Sequence, residues 1–268
     1  METSMTARRP ARGFGVAGAL SQPLVRLLAS AAELAGYRTF WVNDTPGGDG
    51  LAALADAASV TSSIRLGVGV IPLDRQSGEQ IVTRIDELTL PVDRLTLGIG
   101  AGGDPGGLAR VRAGTLALRE GTSAKIVIGA LGPKMCRLAG EVADGVLLNW
   151  LTPAHVLRSI QVVSQSAEEA HRPHPESIGY VRTALGEPAA LRLRAEGDRY
   201  AAIPAYGAHF ARMDGRPDET AVIGNTPDEI QSGLLVFDEG LDETVVRAVT
   251  ESDTESAYRA LLDAAAPR

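Results

Sequence analysis

The sequence predicts an α/β fold, a single (β/α)8 or TIM barrel with a helical excursion between strands 7 and 8. Three observations support this prediction. The chain has 268 residues, of which 44% are apolar, which is sufficient for one large core. Strand-like and helix-like segments alternate along the chain, as in parallel sheets. The eight strand-like segments are continuous apolar runs, as expected of strands that are covered on both faces.

The first four strand–helix units extend from residue 13 to residue 119. The predicted strands are Phe14–Val16, Thr39–Val42, Ile64–Ile71 and Leu95–Gly100. The predicted helices are one that Pro23 opens and Gly36 ends, then Leu51–Val60, Ser77–Leu88 and one near Leu108–Arg119. Gly67 and Gly69 lie inside the third strand, where glycine marks a bulge or a close backbone approach.

The second half of the chain continues this alternation. The predicted strands are Lys125–Gly129, Gly145–Asn149, Ser177–Leu185 and Glu243–Val249, and helices begin at Pro133, Pro153 and Glu255. A helical excursion occupies about 187–240. We assign residues 1–12 to a ragged or disordered N-terminal tail and residues 13–268 to one domain. A doubly wound open sheet is the competing architecture, although such sheets usually have fewer strands.

Composition disfavours or excludes several classes of protein and site. The net charge of −7 disfavours a protein that binds nucleic-acid phosphates. No charge-free apolar run approaches the roughly 18 residues of a membrane span, and no signal-peptide core follows the N-terminal arginines, so we predict a cytoplasmic protein. The single Cys136 excludes an internal disulfide. His171 and His174 are three residues apart, but no helix holds them, and we predict no metal site.

The loop after the fifth strand, ALGPKM, is a candidate phosphate cradle. Gly132 permits close approach to the backbone, and Pro133 sets the first helical turn. The amides of residues 134–136 are expected to point out of the helix start, where the helix dipole favours an anion. Lys134 adds a positive charge. The alternative is that Gly-Pro only starts a helix and Lys134 is a surface lysine.

Three other loops carry polar or aromatic candidates. Asn43 and Asp44 end the second strand and could either point into the barrel mouth or form an Asx-turn. Arg75 follows the third strand, where a structural salt bridge is favoured over an anion contact. Trp150 follows the sixth strand and could stack on a ring or pack in a core or interface.

These segments together resemble the bacterial luciferase-like monooxygenase superfamily, a group of TIM-barrel oxidoreductases that use FMN or the deazaflavin F420. The resemblance is carried by IRLGVGVIPLDR, LPVDRLTLGIGAG and ALGPKMCRLAGEVADGVLLNWLTPAHV. It covers roughly residues 13–265, and the stretch 131–156 is its most specific part.

The resemblance implies site residues by position. In this family the third strand ends in a bulge with a non-prolyl cis peptide, against which the cofactor ring packs, and Gly69-Val70 looks like that position. The loop resembling LGPKM supplies backbone donors for the cofactor phosphate, and NWLT lies where the family contacts the ribityl–phosphate chain. The cofactor-binding residues predicted are Asn43, Gly69, Val70, Gly100, Gly132, Pro133, Lys134, Met135, Asn149 and Trp150.

Asp44 and Thr45 are the predicted catalytic residues. Asp44 matches a polar position near the reactive face of the ring, and many relatives carry a histidine where Thr45 stands. The superfamily's sugar-phosphate dehydrogenases use a glutamate after the fourth strand, where this chain has Ala101, Gly102 and Gly103. That specific activity is therefore not expected.

The resemblance implies an oxidoreductase that transfers hydride between F420, or alternatively FMN, and a small organic substrate. Asp44 or a bound water would handle any proton. A homodimer through the helices after the second and third strands is also expected. The competing function is a non-catalytic flavin-binding or scaffold barrel, which Thr45 and the missing glutamate favour. A barrel that acts on a sugar phosphate is a third and weaker alternative.

Overall fold

A closed barrel of eight parallel strands forms the centre of the computed structural model, which describes residues 11–103 and 105–268. Strands β1 to β7 pair in sequence order, and β9 closes the barrel by pairing with both β7 and β1. The prediction of a (β/α)8 TIM barrel is therefore confirmed. The strands are β1 Ala11–Val16, β2 Thr39–Val42, β3 Arg65–Pro72, β4 Leu95–Gly100, β5 Lys125–Ala130, β6 Gly145–Asn149, β7 Glu176–Leu185, β8 Val222–Gly224 and β9 Glu243–Ala248.

Ten α-helices among the described residues surround the barrel. They are α1 Gln22–Leu34, α2 Gly50–Ala58, α3 Gly78–Glu87, α4 Gly107–Gly121, α5 Pro133–Val142, α6 Pro153–Glu169, α7 Glu187–Ala201, α8 Pro204–Met213, α9 Pro227–Asp238 and α10 Glu255–Ala264. Proline occupies the first turn of α1, α5 and α6 as predicted. Gly36 follows α1 with a φ of 81°, a conformation that glycine adopts without steric cost. No helix of the described part of the chain is long and apolar enough to cross a membrane.

The N-terminal boundary differs from the prediction. Ala11 and Arg12, which the sequence analysis placed in the tail, belong to β1. The Arg12 side chain is buried, and its Nη2 lies 2.6 Å from Oδ2 of Asp238. This contact joins residues 226 positions apart, so no local pattern could indicate it. Residues 1–10 lie outside the described residues.

The sequence predicts a helical excursion between the seventh and eighth barrel strands, but the structure shows that this segment is not entirely helical. It holds α7, α8, a short 3-10 helix over Pro217–Thr220, strand β8 and α9. Strand β8 pairs in parallel with the outer end of β7, where Thr183 faces Val222. Three residues are too few to show a strand periodicity, which is why the sequence did not reveal this strand.

Glycines inside the barrel make room for one tryptophan. A Cβ atom on Gly67 would lie 2.4 Å from the Trp41 ring, and one on Gly13 would lie 2.9 Å from it. Strand β3 also shifts register against β4 between Val68 and Ile71. Both alternatives predicted for the glycines of β3, a close approach and a bulge, are therefore confirmed.

The amino-terminal end of the barrel interior is held by a buried carboxylate. Glu243 accepts hydrogen bonds from Trp41 Nε1 at 2.8 Å and from Thr39 Oγ1 at 3.1 Å. Burial raises the pKa of Glu243, although these two bonds and the nearby Arg38 oppose that shift. The Trp41 ring is thereby anchored below the bulge of β3.

Candidate active site

The bulge of β3 forms one side of the barrel mouth. The Gly69–Val70 peptide is cis, as the family resemblance implies. The neighbouring strands carry Gly100 and Gly129 beside it, and a Cβ atom on either would lie 2.7 Å from a methyl group of Val70. Gly100, predicted to bind cofactor, thus leaves the space that Val70 fills. This side of the mouth is therefore formed by the apolar side chain of Val70 and by the backbone of the glycines around it.

Asn43 points into the mouth, which was one of the two alternatives for this residue. Its Nδ2 donates a hydrogen bond to the carbonyl oxygen of Gly69 at 2.8 Å. Its Oδ1 accepts a hydrogen bond from Nε of Arg247 at 2.7 Å. The amide therefore connects the bulge of β3 to the last strand of the barrel.

Asp44 binds neighbouring segments of this chain. Its Oδ2 accepts a hydrogen bond from the amide of Gly50 at the start of α2, at 3.0 Å. Its Oδ1 lies 2.5 Å from Nη2 of Arg75, so the structural role favoured for Arg75 is confirmed. Burial raises the pKa of Asp44, against the lowering effects of Gly50 and Arg75. The carboxyl group is therefore more readily protonated than an exposed aspartate.

Thr45 follows Asp44 in a small turn. Its carbonyl oxygen accepts a hydrogen bond from the amide of Gly48 at 3.0 Å. Its hydroxyl group makes no hydrogen bond to the described residues.

Two arginines that the sequence analysis missed form the opposite side of the mouth. Arg182 on β7 and Arg247 on β9 are directly paired in the sheet register, so their side chains lie on the same face. Arg182 is 3% exposed, and its Nε donates to Oε1 of Glu196 at 2.8 Å. Each arginine interrupts an otherwise apolar strand, in GYVRTAL and TVVRAV, and this interruption was the available signal.

Asn149 and Trp150 are both engaged by Arg182. Nη1 of Arg182 donates to Oδ1 of Asn149 at 2.7 Å, and its guanidinium carbon lies 3.4 Å from the centroid of the Trp150 ring. The ring is 1% exposed and also packs against Tyr200 and Phe210. Of the roles considered for the Trp150 side chain, the structure shows core packing.

The loop before α5 differs from the prediction in its amides. The amides of Met135 and Cys136 both donate to the carbonyl oxygen of Gly132 at 3.1 Å. Of the three amides expected to be free, only that of Lys134 makes no hydrogen bond within the described part of the chain. The helix begins at Pro133 as predicted, but its first turn already closes on the carbonyl oxygen of Gly132, which takes up the amides of residues 135 and 136. Lys134 is exposed and forms no ion pair with a described residue.

Arg212 of α8 also reaches this loop, which the sequence did not indicate. Its Nη2 donates to the carbonyl oxygen of Leu131 at 3.2 Å. A cavity of about 200 Å³ lies beside the loop, and its lining includes His155, Arg158 and His209. The loop is therefore surrounded by basic side chains from α6 and α8. These residues come from distant parts of the chain, so no local motif unites them.

The comparisons with known proteins agree with this architecture. A family model described as luciferase-like monooxygenase matches residues 23–113 and 108–244. Among curated proteins, the 5,10-methylenetetrahydromethanopterin reductase of Methanolobus tindarius is 28% identical over 197 residues. The match covers 59% of this chain, and it spans 60% of the length of the reductase.

Solved structures share the fold over nearly the whole chain. An F420-dependent secondary alcohol dehydrogenase in complex with an F420–acetone adduct has a TM-score of 0.78 at 14% identity, and the alignment covers 96% of this chain and 99% of that one. The oxygenating constituent of 3,6-diketocamphane monooxygenase from the CAM plasmid of Pseudomonas putida, in complex with FMN, has a TM-score of 0.67 at 16% identity, with 96% and 97% covered. The fold and the family-model match lead to one conclusion: this chain belongs to the luciferase-like monooxygenase family.

Proposed function

We propose that this chain is an oxidoreductase that binds F420, or alternatively FMN, at the barrel mouth and transfers hydride to or from a small organic substrate. The observation that carries the proposal is the arrangement of the mouth. The Gly69–Val70 bulge and the loop before α5 both lie at the carboxyl ends of the barrel strands, the end where barrels of this type carry their active sites. The family match over residues 23–244 supports the same assignment.

The residues of the mouth fit a ring cofactor that carries a phosphate. Val70 is half-buried, and the space left by Gly100 and Gly129 lets its side chain lie against the neighbouring strands. The hydroxyl group of Tyr180 is buried in the barrel interior and makes no hydrogen bond to the described residues. At the loop before α5, the free amide of Lys134, its side chain and Arg212 would hold the phosphate.

The chain's own residues would bind, orient and exchange a proton, while the bound cofactor would supply the hydride chemistry through its ring. Asn43 fixes the carbonyl group of Gly69 on the surface that would face the ring. Asp44 has a raised pKa because of burial, which suits a group that gives or takes a proton. The hydroxyl group of Thr45 would orient the substrate.

A non-catalytic cofactor-binding or scaffold barrel is the second candidate function. It is favoured by the contacts of Asp44, whose two oxygens already accept hydrogen bonds from Gly50 and Arg75. In that case the chain would bind the cofactor, but the absorbance of the cofactor ring would not change when candidate substrates are added.

The test is a parallel titration of the purified protein with F420 and with FMN, followed by cofactor fluorescence. We expect saturable binding of one cofactor, with F420 as the first choice. Lys134→Glu should weaken it by about tenfold because it removes a charged donor to the phosphate. Gly132→Val should also weaken it, since a Cβ atom there would lie 3.2 Å from Nη2 of Arg212.

Arg137→Glu is the matched control for Lys134→Glu. It makes the same change of charge on the same helix, but Arg137 is an exposed residue that contacts Glu169 at 3.5 Å. Its affinity for cofactor should stay within about twofold of the wild type. If neither cofactor binds below millimolar concentration while circular dichroism shows an intact fold, the proposed function is wrong.

The expected homodimer remains a proposal, as does a cytoplasmic location. The helices assigned to the dimer contact are α2 and α3, and Val60, which follows α2, is 39% exposed. Sedimentation of the purified chain at several concentrations would decide the oligomeric state.

A further inference from the structure

On the β7–β9 side of the barrel mouth, one positive charge is not balanced by a carboxylate of the described residues. Arg182 and Arg247 lie side by side on β7 and β9, and Glu196 is paired with Arg182 through a contact of 2.8 Å. Arg247 forms no ion pair with any carboxylate of the described residues. Because Glu196 supplies one negative charge for two guanidinium groups, a single positive charge remains at this side of the mouth.

The Arg247 guanidinium is held in place by neutral groups. Its Nε donates to Oδ1 of Asn43 at 2.7 Å, and its Nη1 donates to the carbonyl oxygen of Ala248. Its Nη2 makes no hydrogen bond to the described residues, and the residue is half-buried. Removing a cation from bulk water costs free energy unless an anion or a set of acceptors compensates it. Nη2 is therefore an oriented donor at the mouth with no acceptor in this part of the chain.

The position of this donor is set relative to the bulge of β3. Two hydrogen bonds, of 2.7 and 2.8 Å, connect Arg247 through Asn43 to the carbonyl oxygen of Gly69. An anion bound to Nη2 would therefore lie next to the surface on which the cofactor ring is proposed to pack. Atoms bonded to that anionic group would be within reach of the ring.

We propose that Arg247 binds the carboxylate of the substrate, and that the substrate is a small monocarboxylic acid. The binding of a carboxylate by Arg247 rests on the geometry of that side chain. That the bound acid is the substrate rests on the proposed function. A monoanion is favoured over a phosphate ester because one uncompensated positive charge matches one negative charge. Guanidinium groups bind carboxylates through short, charge-assisted hydrogen bonds.

The experiment measures the binding of acids and of their neutral amides by calorimetry, on the protein alone and on the protein loaded with whichever cofactor binds. The probes are lactate and mandelate, lactamide and mandelamide, and glycerol phosphate as the dianion. We expect each acid to bind about tenfold or more tightly than its amide. Arg247→Gln should remove that preference while leaving the affinity for the amides within about twofold.

Two further variants distinguish the loss of the carboxylate contact from a general folding defect. Arg247→Lys retains the charge and should retain part of the preference for acids, although it loses the planar donor. Arg194→Gln is the matched control, since Arg194 is an exposed residue of α7 that pairs with Glu187, and it should bind all the probes like the wild type. Melting temperatures of the variants report whether each remains folded.

Several results would overturn the inference. These results are equal binding of acids and amides, a preference unchanged by Arg247→Gln, and no binding of either acid at about 10 mM. On the cofactor-loaded protein, whose proposed phosphate site is filled, tighter binding of glycerol phosphate than of the acids would also overturn it. A loss of cofactor affinity in Arg247→Gln, with the affinity for the acids unchanged, would also overturn it, because it would assign Arg247 to the ring. Failure of both cofactors to bind, with the acid preference intact, would contradict the proposed function but not the carboxylate site.

Discussion

The two sides of the barrel mouth are built on different physical principles. The side formed by β3, β4 and β5 carries glycines, and Val70 fills the space that Gly100 and Gly129 leave. The side formed by β7 and β9 carries two arginines, joined to β2 and β6 through Asn43 and Asn149. The shape of the first side depends on steric room between the strands, and that of the second side depends on charge and hydrogen bonding. A ligand at this mouth would therefore meet an apolar surface on one side and hydrogen-bond donors on the other.

The largest effect on stability is expected on the glycine side. A Cβ atom on Gly98 would lie 2.3 Å from the carbonyl oxygen of Val68, a backbone atom that cannot move without the strand. Gly98→Ala should lower the free energy of unfolding by about 2–3 kcal/mol, because overpacking forces backbone shifts. Urea unfolding measures it. Gly47→Ala is the control, since nothing lies within 4 Å of that position; equal losses in the two variants would contradict the role of space.

A smaller effect is expected on the arginine side. Glu196→Gln removes the negative charge that pairs with the 3% exposed Arg182. It should lower the free energy of unfolding by about 2 kcal/mol, less than for a fully buried pair. Glu187→Gln on the same helix is the matched control. The Glu187–Arg194 contact is also 2.8 Å long, but its side chains are 62% and 43% exposed, so the loss should stay below about 0.5 kcal/mol.

The same pair predicts a pH dependence. Burial opposes ionisation of Glu196, but Arg182 and Arg247 together lower its pKa below the usual value for glutamate. The folded protein therefore holds this group ionised at pH values where the unfolded chain protonates it, and the stabilisation is present above about pH 4.5 and lost as the pH falls below it. The difference in stability between wild type and Glu196→Gln should shrink over that range. A constant difference would show that charge is not the source of the effect.

The smallest effect is expected at the edge of the mouth. Arg75 is 37% exposed in its contact with Asp44, so Arg75→Gln should cost less than about 1 kcal/mol in stability. It should raise the pKa of Asp44 further, because Arg75 opposes the effect of burial. A double-mutant cycle with Asp44→Asn measures the coupling energy of the pair. A value well above about 1 kcal/mol would show that the pair contributes as much as a buried ion pair, contrary to this prediction.

The glycine side of the mouth was largely predictable from the sequence, and the arginine side was not. Glycines within an apolar strand are a local signal, so Gly67 and Gly69 could be assigned to a bulge or a close approach before the structure was known. Arg182 and Arg247 are 65 residues apart, and each alone is one polar residue in a strand. Only the register of β7 with β9 brings them together.

Contacts between elements also account for what the sequence analysis got wrong. Arg12 belongs to β1 because Asp238 on α9 pairs with it. For Trp150, where ring stacking and core packing were both open, α7 and α8 cover the ring. The amides of Met135 and Cys136 bind Gly132 because the first turn of α5 closes on it.

By itself, the sequence determined the alternation of strands and helices, the closure into eight units and the loops in which a site would lie. These features depend on the apolar pattern, on proline and on glycine, all of which act within a few residues. The tertiary structure decided which charges are balanced, which amides are free and which side chains face the mouth. Those properties depend on register and on contacts between distant segments, and barrel closure sets both.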